Sequence, residues 1–501
     1  MRKNNSSSHF FLSLPESRLL ENIKTHAAAS CRLSRLSSSS CRTVFLDSFD
    51  WRLWQHGLIC CAEDSSLHLT DFFGISAAAA LPCNDAPPRF WQDLPESELR
   101  QKLADILQHR ALLPQAEFSG TVTSLHLIDK KEKKAAIVLL VDARPKISFA
   151  ELRGGGKRLR NRLEKFGAAS PQAARRRLET VLAAAGRTPA DYSSSFSVEL
   201  EPDMDARTAA KVICRRLLAM LRRNEQGVTD DIDIEFLHDF RVAVRRVRSA
   251  LVLLGDALEP DIRIRFSEIF RELGRMSGTV RDLDVQLLVT EESRARLPEI
   301  LHEGLESLVT ELTAKRAAAH QELVVWLAAP QQQESLRAWE EYLEQEDVNG
   351  SGRRIDKAAN KIIRRQLARL IEAGLAIDSQ SSNQDLHRVR IHGKKLRYAL
   401  EFFRSLYAED ELEPLIASLK NLQDMLGLNN DLAVQEETLT HHLTALKTAR
   451  TKTGKTAAAI GGLLTSFRQS REELRGSLLE TLRQFSKGKE KLRLSLRKNK
   501  G

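Results

Sequence analysis

The sequence predicts an α+β domain followed by an all-α domain that is built from two related helical halves. Short β-like runs separated by charged turns continue to about residue 200. From Asp205 onward, helical periodicity dominates and strand signals disappear. Several segments of this second part recur at one fixed offset of 149 residues, the separation of His238 from His387. Self-similarity at a fixed offset indicates a duplicated structural unit.

The α+β part begins with a serine-rich stretch, residues 1–40, which we expect to be partly disordered at its start. Residues 41–200 then carry the α+β domain. Within this domain, the apolar runs 118–128 and 135–141 flank a charged turn, which predicts a β-hairpin. Basic, alanine-rich helices are expected over residues 157–185.

The all-α part spans residues 205–500. Its low proline content and its helical periodicity are typical of an antiparallel helical bundle. The strongest break in this part is the Asn-Gly-Ser-Gly run at residues 349–352. We therefore expect repeat one over residues 205–348 and repeat two over residues 354–500, packed together as related units.

Three sequence windows carry the duplication without a gap, and they are identical at 20 of 41 positions. Shared composition does not give agreement at this level, so the two halves are expected to share one structure. Residues 209–221, 237–251 and 273–285 match residues 358–370, 386–400 and 422–434.

The middle window presents cations along one side of a helix. At about 100° per residue, a histidine and three basic residues fall on one stripe, and an apolar stripe lies directly beside it. Packing requires the apolar stripe, but it does not require the same cations at the same angles twice. The recurrence therefore favours an anionic partner over a solvated charged face. The cationic stripe consists of His238, Arg241, Arg245 and Arg248 in repeat one and of His387, Arg390, Lys394 and Arg397 in repeat two.

This helix resembles the signature of the CHAD family, the conserved-histidine α-helical domain, and the resemblance covers residues 205–500. The signature is His-x-x-Arg-x-x-x-(Arg/Lys)-(Arg/Lys)-x-Arg in each half. The resemblance implies two pseudo-symmetric helical halves that bind inorganic polyphosphate in a basic groove or pore. It also implies which residues contact the ligand: His238, Arg241, Arg245, Arg246, Arg248, His387, Arg390, Lys394, Lys395 and Arg397, with Arg215, Arg216, Arg364 and Arg365 as second-line contacts.

Residues 44–58 resemble a passage of the CYTH domain, a triphosphate-tunnel β-barrel that uses a divalent metal. Such a metal centre needs several convergent carboxylates. Here, Glu16 and Glu21 are five residues apart, a later strand keeps the single Glu151, and the strand at 59–63 lacks arginine. The resemblance therefore predicts a degenerate, inactive CYTH-like domain without catalytic residues, cofactor or metal site.

Composition fits a soluble globular protein, since 42% of the residues are hydrophobic and no apolar run approaches the length of a membrane helix. We therefore expect no membrane partner and a cytoplasmic protein, with polyphosphate granules as one destination. The net charge is +10, yet residues 201–501, with 49 basic and 46 acidic residues, contribute only +3 of it. Local segregation of charge is therefore better evidence for an anionic partner than the total. Six cysteines without Cys-x-x-Cys spacing indicate neither zinc binding nor a disulfide framework.

Asp282 and Asp431 occupy equivalent positions in the third window. Thr279 precedes Asp282 by three residues, a spacing typical of a helix N-terminal capping box, which favours a structural role. Leu428 replaces that threonine in repeat two, so a cap there would require Asn429. The alternative is that both aspartates orient cations of the stripes.

Binding of inorganic polyphosphate without catalysis is the first functional hypothesis, because a linear phosphate chain presents dense charge and no bases. Nucleic acid is the weaker alternative, since aromatic residues make up 6% of the chain and only Tyr398 lies close to a stripe. A third alternative is a metal-dependent triphosphatase or polyphosphatase that uses the first domain. Direct metal binding by His238 and His387 is disfavoured, because the neighbouring arginines lower the affinity for a cation.

Overall fold

The computed structural model describes residues 7–11, 31–63, 65–82, 87–129, 134–141, 146–151, 173–347, 350–446 and 454–487. The chain divides into two compact units, Met1–Ser194 and Ser195–Gly501. This division falls a few residues before the predicted boundary, because Phe196 and Leu200 contact residues of the helical unit.

The first unit contains an antiparallel sheet of eight strands. Their order across the sheet is β1-β8-β7-β6-β2-β3-β4-β5. The strands are β1 (Ser7–Phe11), β2 (Cys31–Asp47), β3 (Leu58–Glu63), β4 (Ser66–Asp71), β5 (Leu81–Pro82), β6 (Leu113–Asp129), β7 (Lys134–Val141) and β8 (Lys146–Glu151), and the helices are α1 (Arg52–Gln55), α2 (Glu98–Leu107) and α3 (Ala173–Ala184).

The predicted hairpin is confirmed, because β6 and β7 pair as neighbours with Val122 opposite Val141. The last part of the serine-rich opening belongs to a strand. Ser37 and Ser40 lie inside β2, opposite Ser124 and Thr121 of β6. A long backbone ladder can hold residues of modest strand preference, since the preference depends on context. Of the helices predicted over residues 157–185, residues 173–184 are helical, and residues 157–172 lie outside the described residues.

The end of strand β2, from Thr43 to Asp47, is buried on both faces, and this shows how helices pack on the sheet. Val44 and Leu46 belong to a core cluster with residues of α2, whereas Phe45 between them belongs to a cluster with residues of α3. Alternate side chains of a strand point to opposite faces. The sheet therefore lies between the two helices, and the α+β prediction is confirmed.

The second unit is built from helices throughout the residues that the structure describes, apart from one isolated β-bridge between Asp205 and Arg354. Its helices are α4 (Ala206–Thr229), α5 (Ile234–Leu253), α6 (Pro260–Ser293), α7 (His302–Ala328), α8 (Pro330–Glu344), α9 (Ile355–Leu375), α10 (Asn383–Phe402), α11 (Glu409–Leu446) and α12 (Gly454–Lys487).

The helix bounds reproduce the offset of 149 residues. Helix α10 begins and ends 149 residues after α5, and α9 and α11 begin 149 residues after α4 and α6. The duplicated architecture is therefore confirmed. Helix α8 has no counterpart, and the break after it contains Gly350 and Gly352, with φ of 51° and 69°. These left-handed conformations favour glycine, so the sequence break coincides with the junction of the repeats.

Equivalent helices of the two repeats contact each other. Helix α5 packs against α10, α4 against α9, and α7 against α12, while helices that follow one another in each repeat also pack together. This arrangement places the repeated His/Arg/Lys helices side by side at the junction of the repeats. Among the described residues, none of the helices is long and apolar enough to cross a membrane.

Candidate functional site

The apolar stripes fix the rotation of α5 and α10. The seam residues Phe240, Val244 and Val247 of α5 are fully buried, and Val389 and Leu396 of α10 are equally buried. Full burial of one such side chain is worth about 1.5–3 kcal/mol, so neither helix can turn its seam toward solvent. The cationic stripes must therefore lie along the edge of the packed faces.

The cations of the two repeats converge at the α5–α10 contact. The positive charge of Arg245 in repeat one acts on Arg390 and on Lys394 in repeat two. Burial lowers the pKa of Arg241, and Arg245 and Arg248 of the same helix lower it further, against the opposing charge of Asp282. Residues from both stripes thus form one group, here called the junction cluster: Arg241, Arg245, Arg248, Arg390, Lys394 and Arg397.

Lys394 is the most perturbed member of the junction cluster. Burial lowers the pKa of its ammonium to about 7, and Arg390, Arg245 and Arg397 act in the same direction. Asp431 opposes the fall only in part. Lys394 therefore changes its charge near neutral pH, and an anion bound beside it would favour the charged form.

Two central members of the junction cluster carry charge without a matching carboxylate. Within the described ranges, neither Arg245 nor Lys394 forms an ion pair. The Nε atom of Arg245 is also buried and has no hydrogen-bond partner. Both side chains are half-buried, and holding such charges partly out of water without a counter-charge costs free energy. A bound anion would remove that cost.

The aspartates Asp282 and Asp431 lie beside equivalent arginines. Asp431 Oδ1 is 3.7 Å from Arg390 Nη2, and the charge of Asp282 acts on Arg241. The predicted capping box at Thr279 is wrong, because α6 runs unbroken from Pro260 to Ser293. The structure therefore supports the alternative in which the aspartates orient cations of the stripes.

Glycines of α6 let the arginines of α5 approach its backbone. Arg241 Nη1 donates a hydrogen bond of 3.2 Å to the carbonyl oxygen of Gly274. A Cβ atom at Gly278 would lie 2.8 Å from the same Nη1, whereas a Cβ at the equivalent Gly427 would contact nothing within 4 Å. Gly278 thus sets the position of the Arg241 guanidinium. The sequence shows that this glycine is repeated, but it does not show that Arg241 is the side chain packed against it.

The two stripe histidines lie in different surroundings. His387 is exposed, and its Nδ1 is 2.9 Å from Oδ1 of Asn430 on α11. That contact leaves Nε2 as the ring nitrogen for a ligand. His238 is half-buried on α5. The equivalent of Asn430 in repeat one is Arg281, so the histidines cannot share the same partner.

Arg246 and Lys395, which the resemblance also implied as ligand contacts, are not members of the junction cluster. Arg246 is buried, and its Nε donates to Glu401 Oε2 at 2.9 Å, so it connects α5 to α10. Its guanidinium also lies 5.8 Å from the centre of the Phe196 ring. Lys395 is close enough to His392 to lower the pKa of that imidazole, after the larger effect of burial. Arg246 has a structural position, although the resemblance implied a ligand contact.

The second-line residues are dispersed over the helical unit. Arg215 Nη2 donates to the carbonyl oxygen of Leu343 at 2.6 Å, which turns it toward α8. Arg216 and Arg364 are exposed. Arg365 lines a separate cavity with the end of α5. The structure therefore does not gather these four residues at the α5–α10 contact.

The carboxylates that the structure describes in the first unit do not converge as a divalent-metal centre. Asp47 accepts hydrogen bonds from the backbone amides of Leu53 and Trp54, and burial raises its pKa to about 7. Asp50 pairs with Arg52, and Glu117 with Arg42. In the part of the chain that the structure describes, no three His, Cys, Asp or Glu residues converge as metal ligands. Glu16, Glu21 and the side chain of Glu151 lie outside that part.

Comparison with known proteins concerns the helical unit. The family model for the CHAD domain matches residues 212–440. The chain is similar to the crystal structure of the CHAD domain from the plant Ricinus communis, with 26% identity, 58% of this chain and 94% of that chain covered, and a TM-score of 0.47. It is also similar to PptA from Streptomyces chartreusis, with 15% identity, 56% and 99% covered, and a TM-score of 0.45.

No curated protein matches the sequence. The residues matched by the family model extend from α4 into α11 and include both cationic stripes. The likeness of the first unit to the CYTH domain stays a prediction. Residues 212–440 of this chain form a CHAD domain.

Proposed function

We propose that the helical unit binds inorganic polyphosphate at the junction cluster and does so without catalysis. The observation that carries this proposal is the convergence of Arg245 with Arg390 and Lys394 from the other repeat, without an ion pair to Arg245 or Lys394 among the described residues. Guanidinium groups bind phosphate oxygens in two-point contacts, and an ammonium acts as a compact point charge. A chain of phosphates can contact several of these cations at once.

The surroundings of the junction cluster favour polyphosphate over nucleic acid. Single-stranded nucleic acids are commonly held by aromatic rings on which bases stack. Tyr398, the aromatic residue closest to the stripe, is buried and stacks on Phe402, with ring centres 6.3 Å apart. Its ring therefore cannot serve as an open platform for a base. The side chains that remain available to a ligand are the cations, which contact phosphate groups and not the faces of bases.

The proposal is tested by calorimetry of the full chain with long-chain polyphosphate and with single-stranded DNA of equal charge, at two salt concentrations. We expect a clear preference for polyphosphate and a loss of binding in the Arg245→Glu, Lys394→Glu variant. The Arg271→Glu, Lys420→Glu variant is the matched control, because these exposed cations of α6 and α11 are also equivalent and carry the same charge. Equal binding of both polymers, with equal loss at high salt, would reduce the cluster to a general polyanion surface.

The competing function is a metal-dependent triphosphatase or polyphosphatase in the first unit. It is tested by phosphate release from tripolyphosphate and from long-chain polyphosphate in the presence of Mg²⁺ or Mn²⁺. We expect no release above that of the uncatalysed reaction. Metal-dependent release that survives the Arg245→Glu, Lys394→Glu change would contradict the non-catalytic proposal and assign an activity to the first unit. Association with polyphosphate granules is part of the same proposal and requires the junction cluster.

A further inference from the structure

One cavity of the helical unit combines an apolar floor with a rim on which several cations outnumber the single carboxylate of Asp256. It has a volume of about 400 Å³ and lies between the end of α5 and the first half of α9. Leu253, Leu254 and Ala257 contribute apolar surface, while Lys357, Lys361 and Arg365 contribute cations. This volume is within the range of about 300–1,000 Å³ that is typical of ligand pockets.

The duplication supplies a counterpart of this cavity elsewhere in the unit. Leu253 and Asp256, which line the cavity, are equivalent to Phe402 and Ser405. At the counterpart, the chain's own segment 196–200 covers these residues. The ring of Phe196 meets that of Phe402 edge-on at 5.5 Å, and the amide of Leu200 donates to Ser405 Oγ at 3.0 Å. At the counterpart of the cavity, the place is thus occupied by the chain's own segment, with Phe196 as its aromatic anchor.

Two of the three rim cations, Lys357 and Lys361, are not a product of the duplication. The residues of α4 equivalent to Lys357 and Lys361 are Thr208 and Val212, which are uncharged. In the residues that the structure describes, Lys361 and Arg365 form no ion pair. The Nε atom of Arg365 is buried and lacks a hydrogen-bond partner. At the positions of Lys357 and Lys361, the cavity therefore carries positive charge that its counterpart lacks.

We propose that this cavity binds an acidic segment of a partner protein that carries an aromatic side chain. The aromatic ring would occupy the floor formed by Leu253, Leu254 and Ala257, as Phe196 covers Phe402 at the counterpart. The acidic residues of the segment would pair with Lys357 and Lys361. Inorganic polyphosphate has no apolar group for this floor, so the occupant differs from the ligand of the junction cluster.

A probe for the proposal comes from the counterpart itself. A fluorescein-labelled peptide that copies residues 194–203, Ser-Ser-Phe-Ser-Val-Glu-Leu-Glu-Pro-Asp, carries an aromatic residue and three acidic ones. Fluorescence anisotropy would report its binding to the full chain. We expect saturable binding that weakens about tenfold or more in the Lys357→Glu, Lys361→Glu variant. The two new glutamates would repel the acidic residues of the peptide. The Arg271→Glu, Lys420→Glu variant, which has the same net charge, should bind as the unchanged protein does.

Two further arms separate the proposal from simple charge attraction. A peptide with alanine in place of phenylalanine should lose most of its affinity, because the apolar floor is then empty. Polyphosphate binding should be retained in the Lys357→Glu, Lys361→Glu variant, with unchanged helical circular dichroism. The proposal is overturned if the unchanged protein does not bind the peptide, or if both peptides bind equally. It is also overturned if the variant loses polyphosphate as strongly as it loses the peptide, since the rim would then extend the junction cluster.

Discussion

Arg390 and Asp431 form an ion pair between α10 and α11, with Nη2 and Oδ1 3.7 Å apart. Arg241 and Asp282 occupy the equivalent positions in repeat one, and the charge of Asp282 acts on Arg241. Each repeat therefore supplies one arginine that an aspartate orients. Arg245 and Lys394, one helical turn further on, have no such carboxylate among the described residues. The junction cluster thus keeps a surplus of positive charge at its centre.

Removal of the aspartate should strengthen polyphosphate binding modestly. Asp431 is largely exposed, and an exposed ion pair contributes at most about 1 kcal/mol. We therefore expect Asp431→Asn to lower the Kd about twofold to fivefold at low salt, since the local charge becomes more positive. Calorimetry at low and high salt measures this change. A weaker complex would instead show that the aspartate's positioning of Arg390 outweighs its negative charge.

Polyphosphate affinity should fall as the pH rises through the pKa of Lys394. Burial lowers this pKa to about 7, so the ammonium loses its proton at mildly basic pH. The complex favours the protonated form, and binding near pH 8 should therefore take up a proton. Calorimetry in buffers of different ionisation enthalpy measures that uptake. Lys394→Arg keeps its charge and should abolish the uptake, whereas unchanged uptake in this variant would assign it to another group.

The same lysine should reduce stability at low pH. Its pKa is lower in the folded chain than in the unfolded chain, so the unfolded chain binds more protons between the two pKa values, and stability rises with pH from about 7 to 10.5. Lys394→Met removes this cost and should raise the free energy of unfolding by about 1–2 kcal/mol near pH 6. The gain should shrink near pH 9. Urea unfolding at both pH values tests this, and a gain independent of pH would contradict it.

Gly278→Ala should weaken polyphosphate binding without loss of fold. The added Cβ would lie 2.8 Å from Arg241 Nη1 and must displace the guanidinium. Alanine also stabilises a helix by about 0.5–1 kcal/mol relative to glycine, so the melting temperature should not fall. Gly427→Ala is the matched control, because nothing lies within 4 Å of its added Cβ. Equal affinities in the two variants would show that Arg241 is not a ligand contact.

Glu401→Gln should separate the structural role of Arg246 from ligand binding. The change removes the carboxylate that accepts from the buried Arg246, which should lower the free energy of unfolding by about 2–3 kcal/mol. Glu401 Oε1 also lies 3.3 Å from Arg397 Nε of the junction cluster, so polyphosphate affinity measured well below the melting temperature should stay the same or rise modestly. A fall in affinity without a fall in stability would make Arg246 a ligand contact, as the family resemblance implied.

The sequence predicted the structure best where the residues on one face of a helix determine how that helix packs. The spacing of Phe240, Val244 and Val247 predicted the buried seam of α5, and the offset between the repeats predicted where α10 begins and ends. The meeting of Arg245 with Lys394 depends on how α5 crosses α10, which no single-helix pattern contains.

The sequence was less informative where a local pattern had two structural outcomes. Thr279 and Asp282 have the spacing of a cap, but the apolar packing of α6 continues the helix past them. Arg245 and Arg246 are neighbours in the signature, yet they differ by about 100° in direction. The contact of Arg246 with Glu401 depends on the adjacent helix, so the signature of one helix does not contain it.

The packing of α5 against its duplicate α10 matches a property of the proposed ligand. An unbranched polyphosphate has no direction, because its two ends are chemically the same. A chain laid across the junction meets Arg245 of one repeat and Lys394 of the other at equivalent positions, whichever end arrives first. A polymer with distinct ends, such as a nucleic acid strand, would present its backbone in opposite senses to the two halves. If the proposed function holds, the duplicated helices would form a receptor without polarity for a polymer without polarity.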